Sequence, residues 1–520
     1  MKIVGICSGH DVAYGILENG IPIIHNELER FNRKKGTIGD ALQFLIDTYP
    51  DINDITHASY CVNTWKGGIS KRYPDSFNKI NSIVKNNNGK FWPNEDTRPG
   101  HHQCHAANAF FSSNFDKALI ITIDGGGEDF TSDGKYVSSA FTIWEGIDNK
   151  INEIEILDHS LLNLGVLWDK YTTKVFKLSG TTGVKGSQAG TVMGMAALGD
   201  PSKFKDNFHD MNLMSKYASE SEQNQFDIAA SLQQYTEDSV KEKIGIYLKK
   251  YPNKNLCLSG GVALNSVMTG KIRKWYPEIE NVYMDPVPYD AGIALGGPRY
   301  IWHHILNNPR IKWEDNSTPY LGKTYSKEEV LKAIDKYNLD FTNTTDDYVT
   351  DLLIKQNVVS VFGGGSESGR RALGNRSILA DPRSSEMKDI INEKVKHRQW
   401  FRPFAPSILR EEVKNWFESD VNSPYMGFVS IFKKEVRKKT PAVVHFDGSA
   451  RLQTVTEKDN KWYYNFIKLF HQKTGVPILL NTSFNDREPI VETPQNALDC
   501  FLKTDIDYLY FRDYKILLKK

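Results

Sequence analysis

The sequence has few cysteines, no long apolar run and no excess of either charge. Its five cysteines stand singly with no CxxC pair, which excludes a disulfide framework and a zinc finger and indicates reduced thiols. No run of about 18 apolar residues is present, and Met1–Gly5 enters a strand directly, so we expect a cytoplasmic chain with no membrane partner. The formal net charge of +1 argues against a general nucleic-acid surface, although a local basic pocket is allowed.

The length of 520 residues is too great for one hydrophobic core, so two domains are expected and three are allowed. A polar, proline-containing stretch near 307–316 and a charged helix predicted over 323–337 indicate a boundary in this region. We predict a first domain over 1–320, a connecting segment over 321–344 and a second domain over 345–520.

The central motif of the first domain is a histidine-rich helix start that follows Pro99-Gly100. His101 and His105 are four residues apart and therefore share one helix face, where two imidazoles can hold one divalent metal. The ordinary alternative is a partly buried polar face of the helix. Asp124, which ends an apolar strand, and Asp290, which begins a glycine-spaced helix, are the candidates for the remaining ligands.

Strand, glycine turn, strand units occur twice, around Gly9 and around Gly125–Gly127. The predicted strand pairs are Lys2–Cys7 with Val12–Leu17, and Ile120–Ile123 with Val137–Trp144. Actin-like and sugar-kinase-like ATPases hold nucleotide phosphates with such a duplicated hairpin, because the glycine turn presents backbone N–H groups. The charged run Glu27–Lys35 after the first unit is expected to be a solvated edge or loop.

Further glycine segments extend this nucleotide interpretation. Asn255–Leu258 is a strand that enters Gly260-Gly261 before a helix, and 180–199 is a glycine-rich helix or loop that packs closely on a ligand or on a neighbouring helix. A long amphipathic scaffold helix is predicted over Asp227–Lys250, with Asp227 as its N-cap. The candidate cofactor-binding residues are Gly125, Gly126, Gly260, Gly261 and Asn265.

The second domain places basic side chains beside turns rich in glycine, serine and asparagine. Predicted strands Val358–Phe362 and Val476–Leu480 run into Gly363–Gly365 and Asn481–Asn485. Such surroundings suit a phosphate and a small planar carbonyl group, and RNA contact is the alternative. The basic residues are Arg370, Arg371, Arg376, Lys396, Arg398, Arg402 and Arg451.

Together these ordered motifs resemble the O-carbamoyltransferases of antibiotic, toxin and nodulation-factor biosynthesis over essentially the whole chain. The motifs are Gly9–Asp11, Glu27–Phe31, His101–Ala107, Asp124-Gly125, Ser259–Asn265, Asp290–Gly292, Arg371–Leu379, Phe401–Ser407, Asp447–Val455 and Leu480–Asn485. The resemblance implies an α/β protein with an actin-like (ASKHA) first domain. Its second domain would be of the threonylcarbamoyl-AMP synthase-like (YrdC-like) type.

The resemblance also implies an activity and its cofactors. In such enzymes the second domain makes carbamoyl-adenylate from ATP and carbamoyl phosphate, and the first moves the carbamoyl group to a hydroxyl of a small natural product or sugar. By position, His101, His105, Asp124 and Asp290 match the ligands of a divalent metal, with iron, magnesium, manganese and zinc not distinguished, and His10 matches the general base. Arg371, Lys396, Arg402, Arg451, Ser483 and Asn485 match the carbamoyl phosphate and adenylate pocket.

The expected partner is a small-molecule hydroxyl acceptor, with no nucleic acid and with a homodimer left open. Tyr60–Asp96 and Leu157–Thr182 are expected to shape the acceptor pocket. Thr191 stands where relatives often have lysine, and Gly365 stands where they have arginine, so the nucleotide contacts of these loops are expected to differ.

Three rival functions are less favoured. Threonylcarbamoyl transfer to tRNA would want a broad basic face, and the charge is balanced. Hydrogenase-maturation transfer to a thiol would need zinc-finger cysteine pairs, which are absent from the sequence. A non-catalytic nucleotide-binding scaffold would keep the glycines and lose the candidate metal ligands, but all four candidate ligands are present in the sequence.

Overall fold

The structure is a computed structural model that describes residues 1–62, 71–92, 99–178, 188–312 and 319–520. It divides into two compact units, Met1–Glu314 and Asp315–Lys520. Both units combine helices with β-sheets, so the predicted mixed α/β class is confirmed. The stretch 321–344, expected to be a connection, lies inside the second unit and contains the helix Lys327–Asp335. The parts of the glycine-rich segment and of the expected acceptor segments within 63–70, 93–98 and 179–187 lie outside the described residues.

The first unit alternates strands with helices. Its strands are β1 (Lys2–Ser8), β2 (Ala13–Glu18), β3 (Ile21–Glu27), β4 (His57–Val62), β5 (Phe91–Trp92), β6 (Lys117–Phe130), β7 (Tyr136–Ile147), β8 (Lys150–Asp158), β9 (Asn255–Ser259) and β10 (Asn281–Met284). Its helices are α1 (Leu28–Asn32), α2 (Ala41–Thr48), α3 (Pro74–Asn86), α4 (His101–Ser112), α5 (Leu164–Lys170), α6 (Ala189–Ala196), α7 (Met211–Glu220), α8 (Glu222–Lys250), α9 (Ser266–Trp275) and α10 (Ile293–Arg299).

The two sheets of the first unit repeat one topology. Among the described residues, one sheet has the order β3-β2-β1-β4-β5 and the other has the order β8-β7-β6-β9-β10. In both, the first three strands along the chain pair antiparallel and the last two join in parallel. The duplicated hairpin predicted from the glycine units is therefore part of a duplicated five-strand arrangement.

Helix α4 is buried along its whole length, from His101 to Ser112. It packs against α10 and against strand β6. A β-carbon on Gly296 of α10 would lie 2.0 Å from the carbonyl oxygen of Cys104, so the close approach of these helices requires glycine. This packing fixes the histidine-bearing end of α4 against the strand that carries Asp124.

The second unit is built on one large sheet with the order β11-β19-β18-β12-β13-β17-β14-β16-β15 among the described residues. Its strands are β11 (Thr342–Asn343), β12 (Val359–Phe362), β13 (Arg376–Ala380), β14 (Ala405–Leu409), β15 (Phe428–Ile431), β16 (Ser449–Val455), β17 (Ile478–Ser483), β18 (Tyr508–Phe511) and β19 (Ile516–Lys519). Its helices are α11 (Lys327–Asp335), α12 (Asp346–Ile354), α13 (Met387–Ile390), α14 (Val413–Trp416), α15 (Lys461–Thr474) and α16 (Pro494–Lys503). Apolar strand residues and the buried faces of α15 and α16 form one core.

The glycine turn predicted at Gly125–Gly127 is wrong. Strand β6 continues through these glycines, with an irregular register between Ile123 and Gly127, and the chain turns later, at Thr131–Lys135. A bulge takes up the extra residues without ending the strand, which a glycine count cannot distinguish from a turn.

Two other predictions need correction. Helix α8 begins at Glu222 with Ser221 as its cap, and Asp227 is buried inside the helix, where it accepts a hydrogen bond from the backbone N–H of Asp200. In the charged run after β3, Glu27 and Arg30 are buried instead of solvated, with exposed fractions of 5% and 3%. The long apolar helix that a membrane crossing requires does not occur in the part of the chain that the structure describes.

Candidate functional site

Four buried side chains meet where α4 begins. His101 and His105 come from one face of α4, Asp124 comes from β6, and Asp290 comes from the short 3-10 turn before α10. One ligand atom of each lies within 4.8 Å of all the others. The structure therefore brings together all four residues that the sequence suggested as metal ligands.

The donor atoms of this cluster face one another. The Nε2 atoms of His101 and His105 lie 3.1 and 3.3 Å from Asp124 Oδ2. The same two nitrogens lie 3.6 and 3.5 Å from Asp290 Oδ1. The other Asp124 oxygen, Oδ1, accepts a hydrogen bond of 3.1 Å from the backbone N–H of Gly261, which orients the carboxylate.

The electrostatics of the cluster favour a cation. Burial alone would lower the pKa of His105, but the negative charges of Asp124 and Asp290, 3.3 and 3.5 Å from its Nε2, raise it to about 10. Burial raises the pKa of Asp124, but His101 and His105 outweigh burial and hold this pKa well below its usual range. Among the described residues, the buried His105 Nε2 has no partner of hydrogen-bonding geometry. The two imidazole nitrogens and two carboxylates of this cluster suit a divalent metal. A bound metal would take the place of the proton on the imidazole nitrogen.

A second buried pair supports the histidine helix, and the sequence reasoning missed it. Asp129 Oδ1 accepts from the backbone N–H groups of His102 and Gln103 at 2.9 and 3.3 Å, so it caps α4. Asp129 Oδ2 lies 2.7 Å from His102 Nδ1 and 2.5 Å from Ser139 Oγ. In the sequence, His102 beside His101 is the one sign of this support. The cap itself could not be predicted, because Asp129 lies on a strand 27 residues after His102. Asp129 thus fixes the end of α4 from which His101 projects.

His10 lies beside the same cluster and is half exposed. Its Nδ1 is 2.9 Å from Asp11 Oδ2, and its Nε2 is 3.4 Å from Asp290 Oδ2. The charge of Asp11, with further contributions from Asp290 and Asp124, raises the pKa of His10 to about 10 despite burial. The value near 6.5 expected for a free histidine is therefore not found in these surroundings.

In the second unit, the Lys396 ammonium is enclosed by oxygen atoms. It donates to the carbonyl and side-chain oxygens of Asn485 at 2.7 Å each, and to the carbonyl of Ser483 at 2.5 Å. Ser483 Oγ is 2.7 Å from Asn485 Oδ1. The structure thus joins three of the predicted pocket residues in one network at the end of β17.

Three arginines of the second unit have no negatively charged partner in the part of the chain that the structure describes. Among the described residues, neither the Arg402 nor the Arg451 guanidinium makes a hydrogen bond, and no carboxylate pairs with these two or with Arg398. Burial, together with the charges of Arg398 and Arg402, lowers the pKa of Arg451 to about 10. Arg451 Nε is buried, and no described residue accepts a hydrogen bond from it. Such a cluster is expected to bind an anion with at least two charges.

Comparison with known proteins then decides the family. The family model described as carbamoyltransferase N-terminus matches residues 139–298, and the one described as carbamoyltransferase C-terminus matches residues 350–518. A Synechocystis protein named uncharacterized protein sll1178 is 34% identical over 80% of this chain and 75% of its own length. Nodulation protein NolO of Bradyrhizobium diazoefficiens is 33% identical over 79% of this chain and 77% of its own length. The chain belongs to the carbamoyltransferase family.

HypF from T. kodakarensis, whose structure is solved, is 14% identical in sequence to this chain, with a TM-score of 0.39. The match covers 58% of this chain and 48% of HypF.

The predicted cofactor-binding glycines of the first unit lie beside the candidate metal cluster. Gly260 has a φ of 89°, and a β-carbon there would lie 2.2 Å from the Ile123 carbonyl oxygen. Gly261 uses its N–H on Asp124, as described above, and Asn163 donates to the Gly125 carbonyl at 2.9 Å. Gly126 has a φ of 147° inside the irregular part of β6. These glycines allow close packing around Asp124.

The side chain of Asn265 holds two helices of the first unit in place. Its Oδ1 caps α9 by accepting from the N–H of Met268 at 3.2 Å, and its amide exchanges hydrogen bonds with Gln233 of α8. Arg371 is half-buried in the loop before β13, and Arg376, the first residue of β13, is buried. Arg376 donates to the Gly363 carbonyl at 2.9 Å and stacks on Phe362 at 3.6 Å, so it holds the loop.

Proposed function

We propose that this chain is an O-carbamoyltransferase that uses ATP and carbamoyl phosphate. The second unit converts carbamoyl phosphate, water and ATP, through carbamate, into carbamoyl-adenylate, phosphate and pyrophosphate. The first unit then transfers the carbamoyl group to a hydroxyl of a small natural product or sugar and releases AMP. Family membership supports the transferred group, and the resemblance noted above supports the adenylate route.

The observation that carries this proposal is the unpaired arginine cluster. Arg402 and Arg451 present cationic groups that no described carboxylate neutralises, and Arg398 adds a third positive charge. Carbamoyl phosphate and ATP, the two substrates that the second unit takes up, both carry phosphate groups, which match guanidinium groups in charge and geometry. Phosphoryl and acyl-phosphate chemistry depends mainly on positioning and charge stabilisation, which these residues would supply.

In this scheme Lys396 orients the residues that line the proposed anion site. Its ammonium ties Ser483 and Asn485 to the loop that precedes β14. Since these contacts occupy its hydrogen-bond donors, Lys396 holds the pocket in shape and adds one positive charge to its field. Arg402 and Arg451 would bind the substrate anions directly.

The first unit would provide the transfer site. Its duplicated sheet topology supports the actin-like assignment made from the motifs. A divalent cation held by His101, His105, Asp124 and Asp290 would supply positive charge for the adenylate phosphate and acyl oxygen. Asp129 and Gly261 keep the histidine helix and the Asp124 carboxylate in place. His10, half exposed beside Asp290, is the residue proposed to take the proton of the acceptor hydroxyl. It would do so in its neutral form, which a cation bound to Asp290 and Asp124 would favour by offsetting two of the charges that raise the pKa of His10.

The proposal separates two sites, so paired variants test it. With ATP, carbamoyl phosphate and a divalent metal but no acceptor, the native chain should release pyrophosphate. Arg451→Ala should abolish the release, whereas His10→Ala should keep it. Arg410→Ala is the matched control, because Arg410 forms a surface ion pair with Asp420 at 2.7 Å. Equal activity of Arg451→Ala and Arg410→Ala would overturn the assignment of the arginine site.

A further inference from the structure

Two large aromatic side chains lie exposed beside the arginine cluster. Trp400 is 50% exposed and stands on the chain between Arg398 and Arg402. Phe446 is 51% exposed and lies in the turn that leads into β16, the strand of Arg451. Their ring centroids are 5.5 Å apart and their planes meet at 79°. The two rings therefore form a corner with apolar surface open to water.

The backbone around both rings is fixed by hydrogen bonds. The Asn392 side-chain amide donates to the carbonyls of Trp400 and Arg402 at 3.5 and 3.2 Å. In the other segment, the His445 N–H donates to the Ser449 carbonyl at 2.8 Å. The aromatic corner is thus held in place before any ligand arrives, which lowers the entropic cost of binding.

A lysine connects the aromatic corner to the arginines. The Lys388 ammonium lies 4.3 Å from the centre of the Phe446 ring. Burial and the positive charge of Arg398 lower the pKa of Lys388, although Asp389 opposes them. Lys388 therefore stands in the electrostatic field of Arg398 while it covers one face of Phe446. The Trp400 indole is the larger ring that remains available.

We propose that Trp400 and Phe446 form the subsite for the purine base of the nucleotide, with the base stacked on the Trp400 indole. This inference rests on the proposed adenylating function of the second unit. A phosphate or carbamoyl phosphate alone needs only the arginines, whereas a nucleotide joins a polyanion to a flat aromatic ring. The surface offers both complements side by side, and aromatic side chains bind bases by stacking.

Stacking on a single indole contributes affinity without reading the edge of the base. Trp400→Ala should therefore raise the KM for ATP by about tenfold in the pyrophosphate-release assay. The KM for carbamoyl phosphate should stay the same, and Trp400→Phe should keep most of the ATP affinity. Phe341→Ala removes an exposed aromatic ring elsewhere in this unit and is the matched control, with an unchanged KM.

A binding measurement keeps the inference testable without turnover. By calorimetry on the full chain, the native protein should bind ATP more tightly than inorganic tripolyphosphate, and Trp400→Ala should bind both alike. If Trp400→Ala keeps the native preference and the native KM for ATP, the base subsite is wrong, while pyrophosphate release would leave the proposed function intact. If a single-stranded oligonucleotide binds tightly and ATP does not exceed tripolyphosphate, the aromatic corner serves RNA and the inference falls.

Discussion

The Tyr289 phenol donates a hydrogen bond of 2.6 Å to Glu27 Oε2. Tyr289 is the residue directly before the candidate ligand Asp290. On the other side of Asp290, His25 Nε2 lies 2.9 Å from the carbonyl oxygen of Ala291. Burial is the main cause that lowers the pKa of His25, so its neutral ring donates this hydrogen bond. Glu27 and His25, at the end of β3, thus hold the backbone on both sides of Asp290.

Removal of the Tyr289 hydroxyl should weaken metal binding. Tyr289→Phe keeps the ring but leaves the Asp290 turn less constrained, and we expect a loss of metal affinity of about tenfold. Competition with a metal-sensitive dye measures this affinity, and Tyr348→Phe on the exposed surface is the control. A variant that melts earlier but binds metal as the native chain does would show that Glu27 and Tyr289 serve stability alone.

The native chain should carry about one divalent ion, because the four donors form one compact group. His105→Ala and Asp124→Asn should each lose most of it, and Asp124→Asn keeps the shape of the side chain. Elemental analysis after gel filtration measures the metal per chain. His159→Ala, which changes an exposed histidine, should retain the native content. Full metal content in both ligand variants would contradict the cluster as the site.

The turn that carries Phe446 should lose stability in acid. Although burial raises it, hydrogen bonds from His445 and Ser449 lower the pKa of Asp447 to about 2. Since the unfolded value is about 3.9, this carboxylate stabilises the fold above pH 4 and its contribution disappears as pH falls towards 2. Urea unfolding should show Asp447→Asn less stable than the native chain at pH 5 and equal to it near pH 2. An equal difference in the free energy of unfolding between the two proteins at both pH values would refute this role.

Arg451 should cost stability in the absence of an anion. Its guanidinium makes no hydrogen bond to the described residues and stands near two other arginines. Replacement by an apolar side chain of similar length, Arg451→Met, should leave the Tm unchanged or raise it by a few degrees. Added phosphate should raise the Tm of the native chain and not that of the variant, because a ligand that binds only the folded state stabilises it. A lower Tm for Arg451→Met without phosphate would show that protein contacts satisfy Arg451.

Short-range patterns predicted much of the first unit. The apolar run before Asp124 and the helical spacing of His101 and His105 are local signals, and the structure shows a strand and a helix at these positions. Glu27 was misread because its partner Tyr289 lies 262 residues away, and a charged run looks solvated until that partner is known. Asp129 was missed because its role as a helix cap arises only from the packing of β6 on α4.

The second unit shows a different limit. Its arginines were found from composition, but composition does not distinguish the structural Arg376 from the unpaired Arg451. That difference depends on which carbonyl groups surround each guanidinium after the strands have paired. The exposure of Trp400 and Phe446 likewise follows only from tertiary structure.

Direct detection of carbamoyl-adenylate tests the central claim most directly. The full chain, loaded with a divalent metal, is incubated with ATP and carbamoyl phosphate in the absence of any acceptor, and the products are analysed by mass spectrometry. The account predicts carbamoyl-adenylate together with pyrophosphate in equal amounts, and neither product when carbamoyl phosphate is omitted. A folded, metal-loaded preparation that binds ATP but forms neither product would contradict it.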